Sequence, residues 1–89
     1  MSAFAPQHSV TRFSIHAEAG PSSLPRVLEY FTPHNVVPEG LTAIKVAGGQ
    51  MIHLMIDVAG IDAARSAIIA EKLRQSVVVN QVVVKCRRP

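Results

Sequence analysis

The sequence predicts an α+β domain with the element order β-α-β-β-α-β, in which a four-stranded antiparallel sheet carries both helices on one face. Three observations lead to this prediction. Apolar and polar residues alternate over two segments, which is typical of half-buried strands. Apolar residues recur every three or four positions over two other segments, which is typical of amphipathic helices. Glycine and proline separate these segments, and 89 residues suffice for one domain.

The first strand is predicted from Thr11 onward. In the segment 11–18 the odd-numbered residues are mainly apolar and the even-numbered residues are polar. Successive side chains of a strand point to opposite faces, so one face of this strand is expected to be buried. The strand is expected to end in the run 19–23, Ala-Gly-Pro-Ser-Ser, whose composition is typical of a turn.

The first helix is predicted to follow this turn. Either Ser22 or Ser23 could cap it, and its first turn tolerates Pro25, whose missing amide would be unpaired there anyway. Its apolar residues fall on one stripe at i, i+3, i+4 and i+7: Leu24, Val27, Leu28 and Phe31. Pro33 is expected to end the helix.

The second and third strands are predicted to form a hairpin. Leu41–Val46 has weakly distinct faces, which favours a position at the edge of the sheet. Gly48 and Gly49 supply the positive φ angles that a tight hairpin turn requires. Behind them the alternation is the most regular in the chain, with Ile52, Leu54, Ile56 and Val58 on one side.

The second helix and the last strand complete the prediction. Asp62 is expected to cap a helix that reaches about Ser76, with Ala63, Ile69, Ala70 and Leu73 on its buried side. Ile68 projects from the opposite side, either as a singly exposed apolar residue or as a partner contact. Val77–Cys86 contains six valines, whose β-branched side chains favour a strand. The domain is thus expected over 11–86, between an N-terminal tail, 1–10, and a basic C-terminal tail, 87–89.

Right-handed crossovers predict the strand order 4-1-3-2, with the first and third strands central. The face without helices would then carry Ser14, His16, Met51, His53 and Met55. The sequence leaves open whether His16 and His53 meet. If the two central strands pair with His16 opposite His53, the same register places Ser14 opposite Met55 and Arg12 opposite Asp57.

Several function classes are disfavoured. No apolar run is long enough to span a membrane, and the first ten residues lack the features of a signal peptide, so a cytoplasmic protein is expected. A single cysteine, Cys86, excludes an intrachain disulfide or a cysteine-based zinc cage. Neither a nucleophile with its base nor paired carboxylates appear at catalytic spacing, so we predict no enzyme activity, no cofactor and no metal.

Nucleic-acid binding is a less favoured alternative. RNA-recognition motifs share the predicted element order and stack bases on aromatic residues of the sheet. Here Phe13 and Phe31 fall in predicted core positions, and Tyr30 lies on a helix. The net charge of +3 owes much to a short tail with Lys85, Arg87 and Arg88, which favours a role in solubility.

The run Gly20-Pro-Ser-Ser-Leu-Pro-Arg-Val-Leu-Glu-Tyr-Phe, followed by a Gly-Gly hairpin and an alanine-rich helix, resembles an ACT domain, a ferredoxin-like sensing module of amino-acid metabolism. The resemblance covers residues 11–86. Within the family, the helix opening Leu24-Pro25-Arg26-Val27-Leu28 is similar to that of small regulatory subunits of acetolactate synthase. This resemblance implies a non-catalytic regulatory or assembly subunit of branched-chain amino-acid biosynthesis, at least dimeric, with a catalytic large subunit as partner.

The resemblance also implies a ligand site for an amino-acid effector. In the family, amides of small residues before the first helix hold a carboxylate, and an Asn precedes the second strand. The corresponding residues are Gly20, Pro21, Ser22, Ser23, Leu24, Val37 and Pro38. Ser22 lies where the family usually has Gly, Val37 replaces the Asn, and Pro38 has no amide donor. The alternative is therefore an ACT module for homo-oligomerisation or partner binding with no ligand site.

Overall fold

Six elements follow one another in the computed structural model, which describes residues 9–87. They are β1, Val10–Glu18; α1, Ser23–Glu29; β2, Gly40–Val46; β3, Met51–Ala59; α2, Ala63–Arg74; and β4, Val79–Arg87. Short 3-10 turns occupy Thr32–His34 and Ala47–Gly49. The predicted element order is confirmed, whereas most of the predicted 1–10 tail and residues 88–89 lie outside the described residues.

The four strands form one antiparallel sheet in the order β2-β3-β1-β4, as predicted. The structure settles the register that the sequence left open: Arg12 pairs with Asp57, Ser14 with Met55, and His16 with His53. β2 is an edge strand, as its weakly distinct faces indicated, and β4 is the other edge.

The core lies between the helices and the two central strands. Buried apolar residues come from β1, β3 and both helices, among them Phe13, Ile15, Leu54, Ile56, Val27, Ile69 and Leu73. Each such side chain contributes about 1.5–3 kcal/mol when it is fully buried. Phe13 and Phe31 meet edge to face, with ring centroids 5.0 Å apart and planes at 88°. This contact fixes the end of α1 and the turn after it against β1.

α1 is shorter than predicted. It ends at Glu29, and Pro33 lies inside the following 3-10 turn instead of terminating the helix. The amides of Tyr30 and Phe31 donate to carbonyls three residues back, at 3.1 and 3.0 Å, which tightens the chain before the proline is reached. Proline is tolerated at the start of the 3-10 turn because an amide there has no partner within the turn.

α2 begins as predicted but buries a different residue in its first turn. The Asp62 side chain accepts from the Arg65 amide at 2.7 Å, which confirms the cap. Ala63, expected to be buried, is exposed, whereas Ser66 is buried. The Ser66 hydroxyl donates to the Ala63 carbonyl at 3.0 Å, so a polar residue can face the core without losing its hydrogen bond. Ile68 is exposed on the opposite side, as predicted.

The hairpin between β2 and β3 is wider than the predicted tight turn. Val46 pairs with Met51, so four residues form the loop. Ala47, Gly48 and Gly49 have φ angles of 55°, 68° and 89°. Glycine adopts such angles freely, but alanine does so at a conformational cost.

β4 begins two residues later than predicted, at Val79. Val77 is 85% exposed, and the pairing of β4 with β1 shifts between His16 and Ala17. Asn80 is the extra residue at this irregularity, which lies where the chain enters the sheet after α2.

Candidate functional site

The loop between β1 and α1 holds most of the predicted ligand residues. The Gly20 amide donates to the Glu18 carbonyl at 3.0 Å and to the Ser23 hydroxyl at 3.3 Å. The Ser23 amide donates back to the Gly20 carbonyl at 3.1 Å, and Ser23 itself is only 2% exposed. These bonds give the loop a defined shape, but they occupy two of the amides that were expected to bind a carboxylate.

The exposed part of this loop is small. Pro21 and Ser22 are exposed and Leu24 is half-buried. Ser22 occupies the N-cap position of α1, but neither serine caps the helix through its side chain, because the Ser23 hydroxyl is turned toward Gly20. Among the described residues, the amides of Ser22 and Leu24 have no hydrogen-bond partner, so they are the donors left for an anion.

Val37 and Pro38 lie in the connection between α1 and β2. Val37 is 84% exposed and Pro38 is half-buried. The connection is held at both ends, because the Arg65 guanidinium donates to the His34 carbonyl and the Glu39 amide donates to the Asp57 carbonyl at 2.7 Å. An exposed valine offers a carboxylate or an ammonium group no hydrogen bond.

One chain does not bring the two halves of the predicted site together. The loop with Gly20 follows Glu18, which pairs with Met51 at the start of β3. Pro38 lies just before Gly40, which pairs with Asp57 near the end of β3. Met51 and Asp57 are six residues apart along β3, which corresponds to about 20 Å. A ligand of amino-acid size can contact both halves only if a second chain supplies one of them.

A surface concavity of about 590 Å³ lies on the outer side of α1. Its lining residues are Ser22, Pro25, Arg26, Glu29 and Tyr30. They recur every three or four positions, which places them along one side of the helix. Only Ser22 belongs to the predicted site, and the concavity itself was not predicted. The spacing of these five residues indicates one side of a helix and not a concavity, so the sequence carried no signal for it.

The face of the sheet without helices carries a mixed surface, as predicted. Ser14, His16, Met51, His53 and Met55 are all half-buried on it. The edge strands add apolar residues that the prediction did not include, because Ile44 lies beside His53 and Val83 lies beside Ser14. Ile44 is 49% exposed and Val83 is 40% exposed. We call this surface the open face.

His16 and His53 stack at the centre of the open face. Their ring centroids are 4.3 Å apart and their planes are inclined by only 8°. The lone pairs of an imidazole lie in its plane, so two parallel rings cannot direct lone pairs at one ion. Among residues 9–87 there is no group of three or more His, Cys, Asp or Glu side chains that could hold a metal.

The stacked pair also makes a poor platform for nucleic-acid bases. Each ring covers one face of the other, and Phe13 and Phe31 are buried in the core. The His53 Nε2 atom is buried without a hydrogen-bond partner in the described chain, which costs about 1–3 kcal/mol. The pair is thus a packed contact between the two central strands, with one of its ring nitrogens buried.

Arg12 and Asp57 close one end of the open face. Arg12 Nε donates to Asp57 Oδ1 at 2.7 Å, and Nη2 donates to Oδ2 at 3.0 Å. The hydrogen bonds from Arg12 hold the pKa of the Asp57 carboxyl below its usual value of 3.8, and the charge of Arg87 acts in the same direction. The same partner raises the pKa of Arg12. Both groups therefore stay charged at neutral pH.

Comparison with known proteins connects this architecture to a family. A family model described as an ACT-like domain matches residues 5–88. The crystal structure of the ACT domain of GTP pyrophosphokinase from Chlorobium tepidum is similar, with a TM-score of 0.71 at 10% identity over 85% of this chain and 96% of that chain. An uncharacterized protein of Thermotoga maritima gives a TM-score of 0.69 at 15% identity over 90% of this chain and 98% of that chain.

A third similar structure is the C-terminal domain of the MgtC protein from Mycobacterium tuberculosis. Its TM-score is 0.66 at 15% identity, over 97% of this chain and 93% of that chain. No curated protein matches the chain in sequence. At these identities the structural similarity establishes the fold alone. None of the described helices is long and apolar enough to cross a membrane. Since the family model spans nearly the whole sequence and the sheet has the corresponding topology, the chain belongs to the ACT-like domain family.

Proposed function

We propose that this ACT-like domain is a non-catalytic regulatory or assembly subunit of amino-acid metabolism, similar to the small subunit of acetolactate synthase. The family match over residues 5–88 carries the regulatory assignment. The residues Leu24–Leu28 at the start of α1 support the more specific assignment, because they resemble the corresponding residues of small regulatory subunits of acetolactate synthase. On this proposal the partner is a catalytic large subunit, and the protein acts in the cytoplasm.

The proposed subunit associates with a second copy of itself through the edge strand β2. This strand has exposed apolar residues on both faces, with Leu41 on the helix side and Ile44 on the open face. Leu41 and Ala43 pair with core residues of β3, yet both are exposed because no helix covers them. An edge with free backbone groups and uncovered apolar residues favours extension of the sheet by a second copy.

Antiparallel pairing of two β2 strands would also assemble the ligand site. It would place Val46 of one copy beside Gly40 of the other. Val46 lies at the end of the sheet that carries Glu18 and the loop at Gly20, whereas Gly40 follows Val37 and Pro38. The two halves of the site, about 20 Å apart within one chain, would then come from different chains. We propose a small amino acid as the effector at this junction.

The experiment that tests effector binding is titration with valine and isoleucine, followed by calorimetry and thermal denaturation. A ligand that binds only the native state raises the melting temperature in proportion to ligand saturation. Ser22→Trp is the informative variant, because Ser22 is exposed beside the free amides, whereas a bulky residue at the buried Ser23 would also strain the fold. Gln75→Trp, exposed at the end of α2, is the control.

The outcomes separate the two functions that the sequence left open. Binding that Ser22→Trp abolishes and Gln75→Trp leaves intact supports an amino-acid sensor. Absence of binding supports an assembly module without a ligand site, which the exposed Val37 and the missing amide of Pro38 favour. Reconstitution with an acetolactate synthase large subunit tests the partner, and unchanged catalysis and no co-sedimentation would contradict that assignment.

A further inference from the structure

We propose that the open face is a second interface between copies of this chain, in which two sheets pack face to face about a twofold axis that runs across the strands. This interface is separate from the β2 edge, because it uses the side chains of the open face and none of the edge backbone groups. It can therefore be tested separately from the proposed edge dimer and from effector binding.

The apolar content of the open face favours its burial. Ile44 and Val83 are exposed to 49% and 40%, and Met51 and Met55 are half-buried between them. Ile44, Met51 and Met55 lie together around His53 on β2 and β3, and Val83 on β4 is separated from them by Ser14 and His16 of β1. Exposed apolar residues on one face with charged residues at its ends are typical of an interaction site.

The histidine row at the centre of the face lowers the cost of covering it. His16 and His53 already shield each other, and the His53 Nε2 atom is buried without a partner in the described chain. The cost of removing this nitrogen from water is therefore incurred in the single chain. Covering this nitrogen with another protein surface adds little to that cost, whereas covering a solvated polar group would add much more.

The charged residues at the two ends of the open face favour a second copy of this chain as the partner and determine the direction of the twofold axis. Glu18 lies at one end of the open face, and Lys85 and Arg87 lie at the other. None of these three residues forms an ion pair within residues 9–87. A twofold axis across the strands reverses the strand direction, so Glu18 of each copy meets the basic end of the other. An axis along the strands would instead bring the two basic ends together, which is unfavourable.

This axis also brings complementary residues together at the centre of the face. The paired residues His16 and His53 of one copy lie over the paired residues Ser14 and Met55 of the other. Methionine sulfur makes favourable contacts with aromatic rings, and its flexible side chain adapts to an irregular surface. The two copies thus supply complementary surfaces from the same sequence, as a twofold interface requires.

The size of the face sets the strength of the association. It is four strands wide and extends from Arg12 to Glu18. With strands about 4.8 Å apart and about 3.3 Å per residue, its projected area is on the order of 400 Å² per copy. Stable complexes bury about 1,200 Å² or more in total, so a weak, concentration-dependent association is expected.

The test is sedimentation velocity of the full chain from about 10 µM to 1 mM, a range suited to a weak interface. We expect a concentration-dependent doubling of mass, in addition to any association through the β2 edge, that Glu18→Lys and Lys85→Glu each weaken by about tenfold or more, since each creates like-charge contacts. The double variant Glu18→Lys with Lys85→Glu restores association, because it exchanges the two charges. Lys72→Glu on the exposed side of α2 changes the net charge as Lys85→Glu does and leaves association unchanged.

Met55→Glu tests the apolar centre and is expected to abolish the doubling. If that variant fails to fold, the double variant that exchanges the charges at the exposed positions 18 and 85 still tests whether the open face is an interface. The proposal is overturned if the chain shows no doubling up to the highest concentration, if the single charge reversals have no more effect than Lys72→Glu, or if the double variant does not recover association.

Discussion

The guanidinium of Arg12 binds both carboxylate oxygens of Asp57 across the two central strands, at 2.7 and 3.0 Å. The two residues are 45 positions apart in the sequence and directly opposite in the sheet. Their side chains are 40% and 23% exposed. The pair therefore marks the register of β1 against β3 while it remains in contact with solvent.

Replacement of this carboxylate should give a pH-dependent loss of stability. The pKa of Asp57 is lowered in the folded protein, so its contribution is present above its unfolded pKa and is lost as pH falls through the lowered folded pKa. We expect Asp57→Asn to lower the free energy of unfolding at pH 7 and to have a progressively smaller effect in strong acid. Urea unfolding at several pH values measures this. An equal loss at all pH values would contradict the prediction.

Ala47→Gly should stabilise the hairpin between β2 and β3. Ala47 has a φ of 55°, which glycine adopts without strain, so a gain of about 0.5–1 kcal/mol is expected. Gly48→Ala is the reciprocal variant, because no atom lies within 4 Å of an added Cβ there and only its φ of 68° opposes the change. Thermal denaturation should show opposite shifts, and shifts of the same sign would contradict the conformational explanation.

Asp62→Ala should remove the cap of α2. The Asp62 side chain accepts from the Arg65 amide at 2.7 Å, and loss of such a cap costs about 1 kcal/mol. Asp62→Asn should retain most of the stability, because an amide oxygen can accept the same bond. Chemical denaturation of the two variants checks the difference between them.

Leu54→Ala should destabilise the fold far more than a truncation on the surface of α2. Leu54 is fully buried on β3, and removal of a buried leucine side chain costs about 3 kcal/mol or more. Ile68→Ala, at an exposed position on α2, should cost less than about 0.5 kcal/mol. Urea unfolding of both variants gives the two losses. Equal losses would show that Ile68 is covered in solution, which would identify it as a partner contact.

Proline substitutions along β2 test the proposed edge dimer. The amides of successive residues in an edge strand point alternately to the neighbouring strand and away from the sheet. Of Thr42→Pro and Ala43→Pro, one should therefore weaken association with little effect on folding, and the other should destabilise the fold. Sedimentation and thermal denaturation of both variants measure the two effects. Association that neither variant changes would contradict an edge dimer.

Most of the fold could be predicted because its determinants are local and periodic. Alternation places Phe13 and Ile15 on one face of β1 and Leu54 and Ile56 on the same face of β3, and burial of both sets excludes a register shifted by one residue. A shift of two residues would keep both sets buried, so alternation alone does not determine the register. The same periodicity predicted the open face and placed His16 and His53 on it, but it did not determine whether the two histidines meet. Asp62 was recognisable as a cap because a helix start has a short-range sequence signal.

The errors arose where tertiary packing competes with a local signal. Pro33 suggested the end of α1, but the helix had already tightened at Tyr30 and Phe31, where packing of Phe31 on Phe13 holds the chain. Ser23 suggested a cap, but it is buried and bonds to Gly20. No local pattern indicates which of two neighbouring serines the core will enclose.

For the candidate site, the sequence determined which residues precede α1 and β2, and the family resemblance assigned them a shared role. Only the tertiary structure decided that the two groups lie at opposite ends of the sheet, about 20 Å apart. The separation follows from strand pairing, because the antiparallel register that buries Leu54 and Ile56 places Gly20 and Pro38 at different levels of β3. Hydrophobic alternation determined the strands, and their long-range pairing determined which residues can meet.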